Sequence, residues 1–337
     1  MGVVYRPIAQ TDPARPETSE LLAGGWCWFT HAEVLERGRS PEIIPAGDIP
    51  RGDLDRLTRP RASVAGLDLS RPCIMGILNI TPDSFSDGGR LGSASAATAA
   101  GRAMQAADIL DIGGESTRPG AAFVPPDEEI ARVVPVISAL KAAGIAQPLS
   151  VDTRKAPVAA AALGAGAALV NDVSGFTFDA DLAPLCARNG TPVCVMHAQG
   201  DPATMQENPH YDDVVLDVFD FLQGQISHLN ALGISSEQII ADPGIGFGKT
   251  QAHNLALLSR LSVFHALGVP VLLGASRKRF IGTIGGAAQA KQRMPGSIAV
   301  ALAALKHGTQ IVRVHDVPET AQAIALWRAT VAGRAHG

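Results

Sequence analysis

Cys73-Ile74-Met75-Gly76-Ile77-Leu78-Asn79-Ile80-Thr81-Pro82-Asp83-Ser84-Phe85-Ser86-Asp87-Gly88-Gly89 holds one whole unit of the pattern that fills most of the chain. Cys73–Leu78 is a short apolar run, the length of a strand covered on both faces. It ends on a polar residue, Asn79, and opens into a loop of Asp, Ser and Gly. An Ala-rich stretch at helical spacing, Ser95–Ala107, follows. The same unit recurs downstream. Its apolar runs are Ile109–Ile112, Leu149–Val151, Ala167–Val170, Val193–Met196, Ile239–Ala241, Val271–Leu273 and Ile311–Val314. Helix-like stretches include Asp127–Ala143, Pro295–Lys306 and Pro318–Val331. Strands alternating with helices imply βαβ units and a parallel sheet. Eight of them favour an α/β fold closed as a (β/α)8 TIM barrel over an open sheet.

The polar residues are phased with the runs. Asn79 follows the first, Asp152 the third, Asn171 and Asp172 the fourth, His197 the fifth and Asp242 the sixth. Ser276 and Lys278 follow the seventh, and Arg313 and His315 end the eighth. The C-terminal rim of such a barrel carries its active site, so these residues converge on one mouth.

Composition agrees. The chain has 337 residues, 46% apolar and only 4% aromatic, so small aliphatics fill the core. The expected division is residues 1–70 as an N-terminal extension and 71–337 as the barrel. The extension holds Trp26, Trp28 and Phe29 in a Gly-rich patch, which suits a short hairpin, an anchor or a lid-like addition. A net charge of −4 argues against nucleic acid as the main partner. Cys27, Cys73, Cys186 and Cys194 form no C-x-x-C pair and read as core thiols of a reducing, cytoplasmic compartment. No basic start with an apolar run suggests a signal peptide, and no run of about 18 apolar residues suggests a membrane span.

Several segments carry candidate chemistry. Phe85 is a lone aromatic in a polar loop, which fits a lid with a hydrophobic tip better than a plain turn. Asp111-Ile112-Gly113-Gly114-Glu115-Ser116-Thr117-Arg118-Pro119-Gly120 offers close backbone approach, with hydroxyl and guanidinium groups suited to phosphate oxygens. Glu115 reads equally as a buried structural partner. Asp152 and Asp242 end apolar runs, and buried carboxylates need donors. A heterocycle bearing N–H groups would supply them; loop capping, or pairing with Arg154 or Lys278, is the alternative. Asp242-Pro243-Gly244-Ile245-Gly246-Phe247-Gly248-Lys249 has neither P-loop nor dinucleotide spacing. Its alternate glycines predict a tightly shaped loop. Lys278 lies in a basic run whose neighbours, Arg277 and Arg279, suit a solvated face. Strand alternation puts Arg313 and His315 on one side.

In their order, these segments resemble the dihydropteroate synthase family across roughly residues 73–331. The two loops, Asn79 to Asp87 and Gly113 to Gly120, carry most of the likeness. The resemblance implies a pterin pocket in which Asp152, Asn171, Asp242 and Lys278 hydrogen-bond the ring, with Met196 and Arg313 on its faces and Phe247 nearby. It implies that Asn79, Thr117, Arg313 and His315 hold the diphosphate, with Asn79 also ligating Mg²⁺. Phe85, Asp87, Arg118 and Pro119 would cover p-aminobenzoate, whose carboxylate would meet backbone amides after Ser276. Arg313, His315, Lys278 and Asp152 would carry the catalysis. Some members have Ser directly after the motif lysine; here Arg279 stands there. The implied partners are these small molecules and a second copy of the chain. A methyltetrahydrofolate-dependent methyltransferase and a non-catalytic pterin-binding paralogue are the rival readings.

Overall fold

The computed structural model describes residues 2–80, 89–116, 121–200 and 204–334, with backbone only for 89–94. Eight parallel strands follow one another: β6 (Cys73–Asn79), β7 (Ile109–Gly113), β8 (Leu149–Asp152), β9 (Leu169–Asp172), β10 (Val193–Met196), β11 (Ile239–Asp242), β12 (Leu272–Leu273) and β13 (Ile311–Val314). Their order in the sheet is β11-β10-β9-β8-β7-β6-β13-β12. A parallel bridge between Ala241 and Val271 joins the two edges, so the expected barrel is formed. Helices α2 (Gly89–Ala103), α3 (Pro126–Ala142), α4 (Ala156–Gly164), α5 (Leu182–Asn189), α6 (Val214–Ala231), α7 (Gln251–Ser259), α8 (Arg279–Gly285), α9 (Met294–Lys306) and α10 (Val317–Ala332) lie between and after the strands.

Alternation along each strand separates two environments. Leu110, Ile112, Leu149, Val151, Val170, Val195, Val312 and Val314 belong to the large cluster shared with the helices. Their neighbours point into the barrel. Near the strand starts these inward residues are apolar: Cys73, Met75, Ile109, Leu169, Ile240, Leu272 and Ile311. Toward the strand ends they turn polar: Asp111, Asp152, Asn171 and Asp242, all buried. The polar mouth is thus a property of strand register.

The N-terminal residues make elements of their own. Strands β1 (Val4–Pro7), β4 (His31–Leu35) and β5 (Glu42–Pro45) form an antiparallel sheet, and β2 (Glu20–Leu21) pairs with β3 (Trp28–Phe29). With α1 (Arg51–Thr58) they enclose a small core of Leu22, Cys27, Phe29, Ala32, Ile49 and Leu57. Trp26 Nε1 donates to Leu305 O at 2.8 Å, and Ser262 Oγ donates to Pro7 O at 2.7 Å. Val64, Leu67 and Leu69 fill the apolar end of the barrel interior. Val64, Leu67 and Leu69 thus plug the barrel at the strand starts, the end opposite the polar mouth.

Candidate active site

Arg313 on β13 reaches into the barrel and joins three strands. Its Nε donates to Asp111 Oδ2 at 2.6 Å and its Nη2 to Asp152 Oδ2 at 2.7 Å. Asn171 Nδ2 donates to the same Asp111 oxygen at 2.9 Å. Burial works against the guanidinium charge, but Asp111 and Asp152 more than offset it and hold Arg313 charged. Burial also pushes the Asp152 carboxyl up to about 7, with Arg313 pulling the other way. Asp242 is pushed up to about 6 by burial, opposed by the Gly244 N–H that donates to its Oδ1 at 2.7 Å.

Raised carboxyl values have a consequence for stability. The folded state holds these protons more tightly than the unfolded chain, whose aspartates titrate near 3.8. Their contribution is therefore complete below that value and is lost as pH rises through about 6 to 7. Asp152→Asn removes its share, so its urea midpoint is expected to change less between pH 5 and pH 7.5 than that of the unaltered protein. Equal changes in both would mean that Asp152 is ionised throughout.

The loop after β11 shows why its glycines alternate. Gly244 has φ +67°, and a Cβ there would lie 1.9 Å from His197 O. Gly248 has φ +60°, and its Cβ would lie 2.4 Å from Gln199 O. The loop therefore packs backbone to backbone on the loop after β10. Lys249 locks the arrangement from behind. Its ammonium lies 2.8 Å from His197 Nδ1 and donates to Gly244 O at 2.9 Å and Phe247 O at 3.0 Å. Burial lowers Lys249 to about 7 and pushes His197 far down, so that ring is neutral and accepts. On the pocket side, Lys278 Nζ sits 3.9 Å from the Phe247 ring centroid.

Ser276 and His315 meet at the neighbouring corner. Ser276 Oγ lies 3.0 Å from His315 Nδ1 and accepts the His315 N–H at 3.2 Å. Arg277 does not lie on a solvated face: it is half-buried, and its Nε donates to Asp316 Oδ2 at 3.0 Å. Arg279, at the start of α8, is exposed as expected. Asn79 ends β6 half-buried beside Gly113: a Cβ on Gly113 would be in ordinary contact with Asn79 Oδ1 at 3.4 Å and with Asp152 Oδ2 at 3.7 Å. Met196 is buried at the end of β10. Phe85, Asp87, Thr117, Arg118 and Pro119 lie outside the described residues.

Two roles, those of Asp111 and Lys249, are carried by no local sequence signal. In sequence Asp111 stands only at the head of a glycine loop, although alternation with Gly113 puts it on the inward face of β7. Lys249 looked like the tail of a motif and is its keystone. Glu115 is the structural partner that was one of its two readings, within a larger network. It accepts from Arg154 Nε at 3.1 Å and from Val124 N at 2.9 Å, and pairs with Lys155 Nζ at 3.1 Å. Lys155 in turn donates to Glu129 at 2.6 Å.

Known proteins similar to this chain share its fold. Residues 75–315 match the family profile described as pterin binding enzyme. The chain is 44% identical over 275 residues to a dihydropteroate synthase of Escherichia coli, covering 81% of this chain and 96% of that protein. Among solved structures, a Xanthomonas albilineans dihydropteroate synthase with 4-aminobenzoic acid superposes with a TM-score of 0.75 at 47% identity, covering 80% of this chain and 98% of the other. The same organism's enzyme in complex with 7,8-dihydropteroate gives 0.72 at 44% identity, with the same coverage. A match over most of the chain shows that this chain belongs to the pterin-binding enzymes, among the dihydropteroate synthases.

Proposed function

We propose that the chain condenses 6-hydroxymethyl-7,8-dihydropterin diphosphate with p-aminobenzoate, giving 7,8-dihydropteroate and diphosphate for folate synthesis. The observation that carries this reading is the set of buried acceptors, Asp152, Asp242 and Asn171, gathered around two cations, Arg313 and Lys278, at one barrel mouth. Related enzymes hold 4-aminobenzoic acid and 7,8-dihydropteroate.

In this reading Asp152, Asn171, Asp242 and Lys278 bind the pterin edge, which presents N–H donors and ring acceptors in one plane. Arg313 has its Nε and Nη2 committed to carboxylates, which leaves its flat face to stack on the pterin opposite Met196. Phe247, held by Lys278, borders the ring. Asn79, Thr117, Arg313 and His315 receive the diphosphate. Ser276, bonded to His315, and the backbone that follows it receive the benzoate carboxylate. Phe85, Asp87, Arg118 and Pro119 complete the p-aminobenzoate side.

A divalent cation fits one place. Among the described residues no cluster of three or more His, Cys, Asp or Glu is set to hold a metal. Asn79 instead offers a single half-buried amide oxygen at the end of β6, beside the buried carboxylate of Asp152. Mg²⁺, which keeps several waters and favours substrate phosphates, suits such a site. When bound it would neutralise diphosphate charge.

The arylamine is a weak nucleophile, so C–O cleavage leads and the charge spreads into the dihydropterin ring. Asp152 and Asp242 stabilise the electron-poor ring by accepting its N–H groups, while Arg313 and His315 stabilise the departing diphosphate. The amine then attacks the methylene and loses its proton to solvent. The four buried free cysteines suit a reducing cytoplasm, and a homodimer is part of the same proposal.

The deciding measurement is diphosphate release from the pterin substrate, with and without p-aminobenzoate and Mg²⁺. Release that depends on Mg²⁺, with dihydropteroate formed only when p-aminobenzoate is present, is expected. Pterin binding without turnover would point to the non-catalytic paralogue instead.

A further inference from the structure

We infer that Asp111 is a positioning residue for the pterin pocket: it holds Arg313 and Asn171 in the orientation that binds the ring. The inference rests on the functional reading above. Asp111 lies on β7 at 0% exposure. One of its oxygens, Oδ2, accepts from both Arg313 Nε and Asn171 Nδ2, at 2.6 and 2.9 Å. The other, Oδ1, is buried with no hydrogen-bond partner among the described residues.

That distribution is informative. A buried carboxylate is stabilised when donors are spread over both oxygens, and an unsatisfied buried acceptor carries a cost. Here both donors converge on one oxygen. The arrangement therefore serves the donors. Asn171 Nδ2 is fixed toward Asp111, which turns the amide oxygen the other way. Arg313 is gripped along one edge by Asp111 and at a second nitrogen by Asp152. Two such bonds in the guanidinium plane fix the tilt of that plane, and the tilt decides whether its face lies parallel to a pterin. Asp152 alone would leave the guanidinium free to swing about a single bond. A fixed guanidinium also loses less freedom when ligand arrives. Asp111 thus acts on the pterin through two other side chains.

The test is a double-mutant cycle on pterin binding. Asp111→Asn, Arg313→Met and the double variant are made in the full chain. Their affinities for an unreactive oxidised hydroxymethylpterin monophosphate are read by calorimetry. Asp111→Asn is expected to weaken binding at least tenfold in the otherwise unaltered chain and by a clearly smaller factor when Arg313 is already Met, the remainder being the share that runs through Asn171. The KM for p-aminobenzoate should stay within about twofold, as expected of a group confined to the pterin side. Wild-type affinity in Asp111→Asn, or the same fold-loss in both backgrounds, would overturn the inference. Where Asp111→Asn does not fold by circular dichroism, Asp111→Ser is put through the same cycle. Wild-type turnover is measured alongside: its absence would sink the functional reading, whereas turnover with uncoupled variants would sink this inference alone.

Discussion

Asp242→Asn is expected to weaken pterin binding by about 100-fold or more while the protein stays folded. Asparagine keeps an oxygen that can still accept the Gly244 N–H, so the loop after β11 retains its first bond. What changes is the second carboxylate oxygen, which becomes an amide donor. A pterin N–H would then face another N–H in a buried site. Losing a bond to a charged group costs about 1.5–3 kcal/mol, and an unpaired buried donor adds to it. Calorimetry against the pterin, with circular dichroism on the same samples, reads both sides. A folded variant with unchanged affinity would remove Asp242 from the pocket.

Gly244→Ala is expected to do damage of a different kind. The new Cβ would fall 1.9 Å from His197 O at a φ of +67°. Backbone must move to admit it, and the carbonyl concerned belongs to the loop that Lys249 also ties down. A stability loss of about 3 kcal/mol is expected, within the range for overpacking combined with backbone strain. Turnover should fall by two orders of magnitude or more, since Phe247 and Lys278 depend on the same loop. Urea unfolding and steady-state kinetics check the two parts. A variant with wild-type unfolding would show that the contact between the two loops yields easily.

The barrel is readable because most strands announce themselves twice, by an apolar run and by a polar residue at or just after its end. Boundaries moved where pairing outlasts hydrophobicity. The run Ala167–Val170 became Leu169–Asp172, because Asn171 and Asp172 still pair with Cys194 and Val195. The helix expected over Ser95–Ala107 runs over Gly89–Ala103, with a turn taking up Met104 to Ala107. Strand phasing brings Asp152, Asn171, Asp242 and Arg313 to one mouth, and the wiring among them is less legible in sequence. The alternative to a heterocycle for Asp152 and Asp242 is capping or pairing with Arg154 or Lys278, near in sequence or motif, yet Asp152 accepts from Arg313, 161 positions away. Asp111 pairs with Arg313 across 202 positions. No local pattern encodes such pairings; strand register does. The N-terminal elements were legible only as a possible hairpin, because strands of two to five residues leave too little periodicity to count.

The plug formed by Val64, Leu67 and Leu69 also constrains the order of events during synthesis. These residues leave the ribosome before any barrel strand, yet their partners include Leu272 and Ile311, more than 200 positions later. Trp26 waits still longer for Leu305, 279 positions on. Contacts of such separation form late, since the intervening chain must first be brought together. The nascent protein therefore carries an uncovered apolar segment until β13 has been made, and seating it is the closing step that couples the start of the chain to its end.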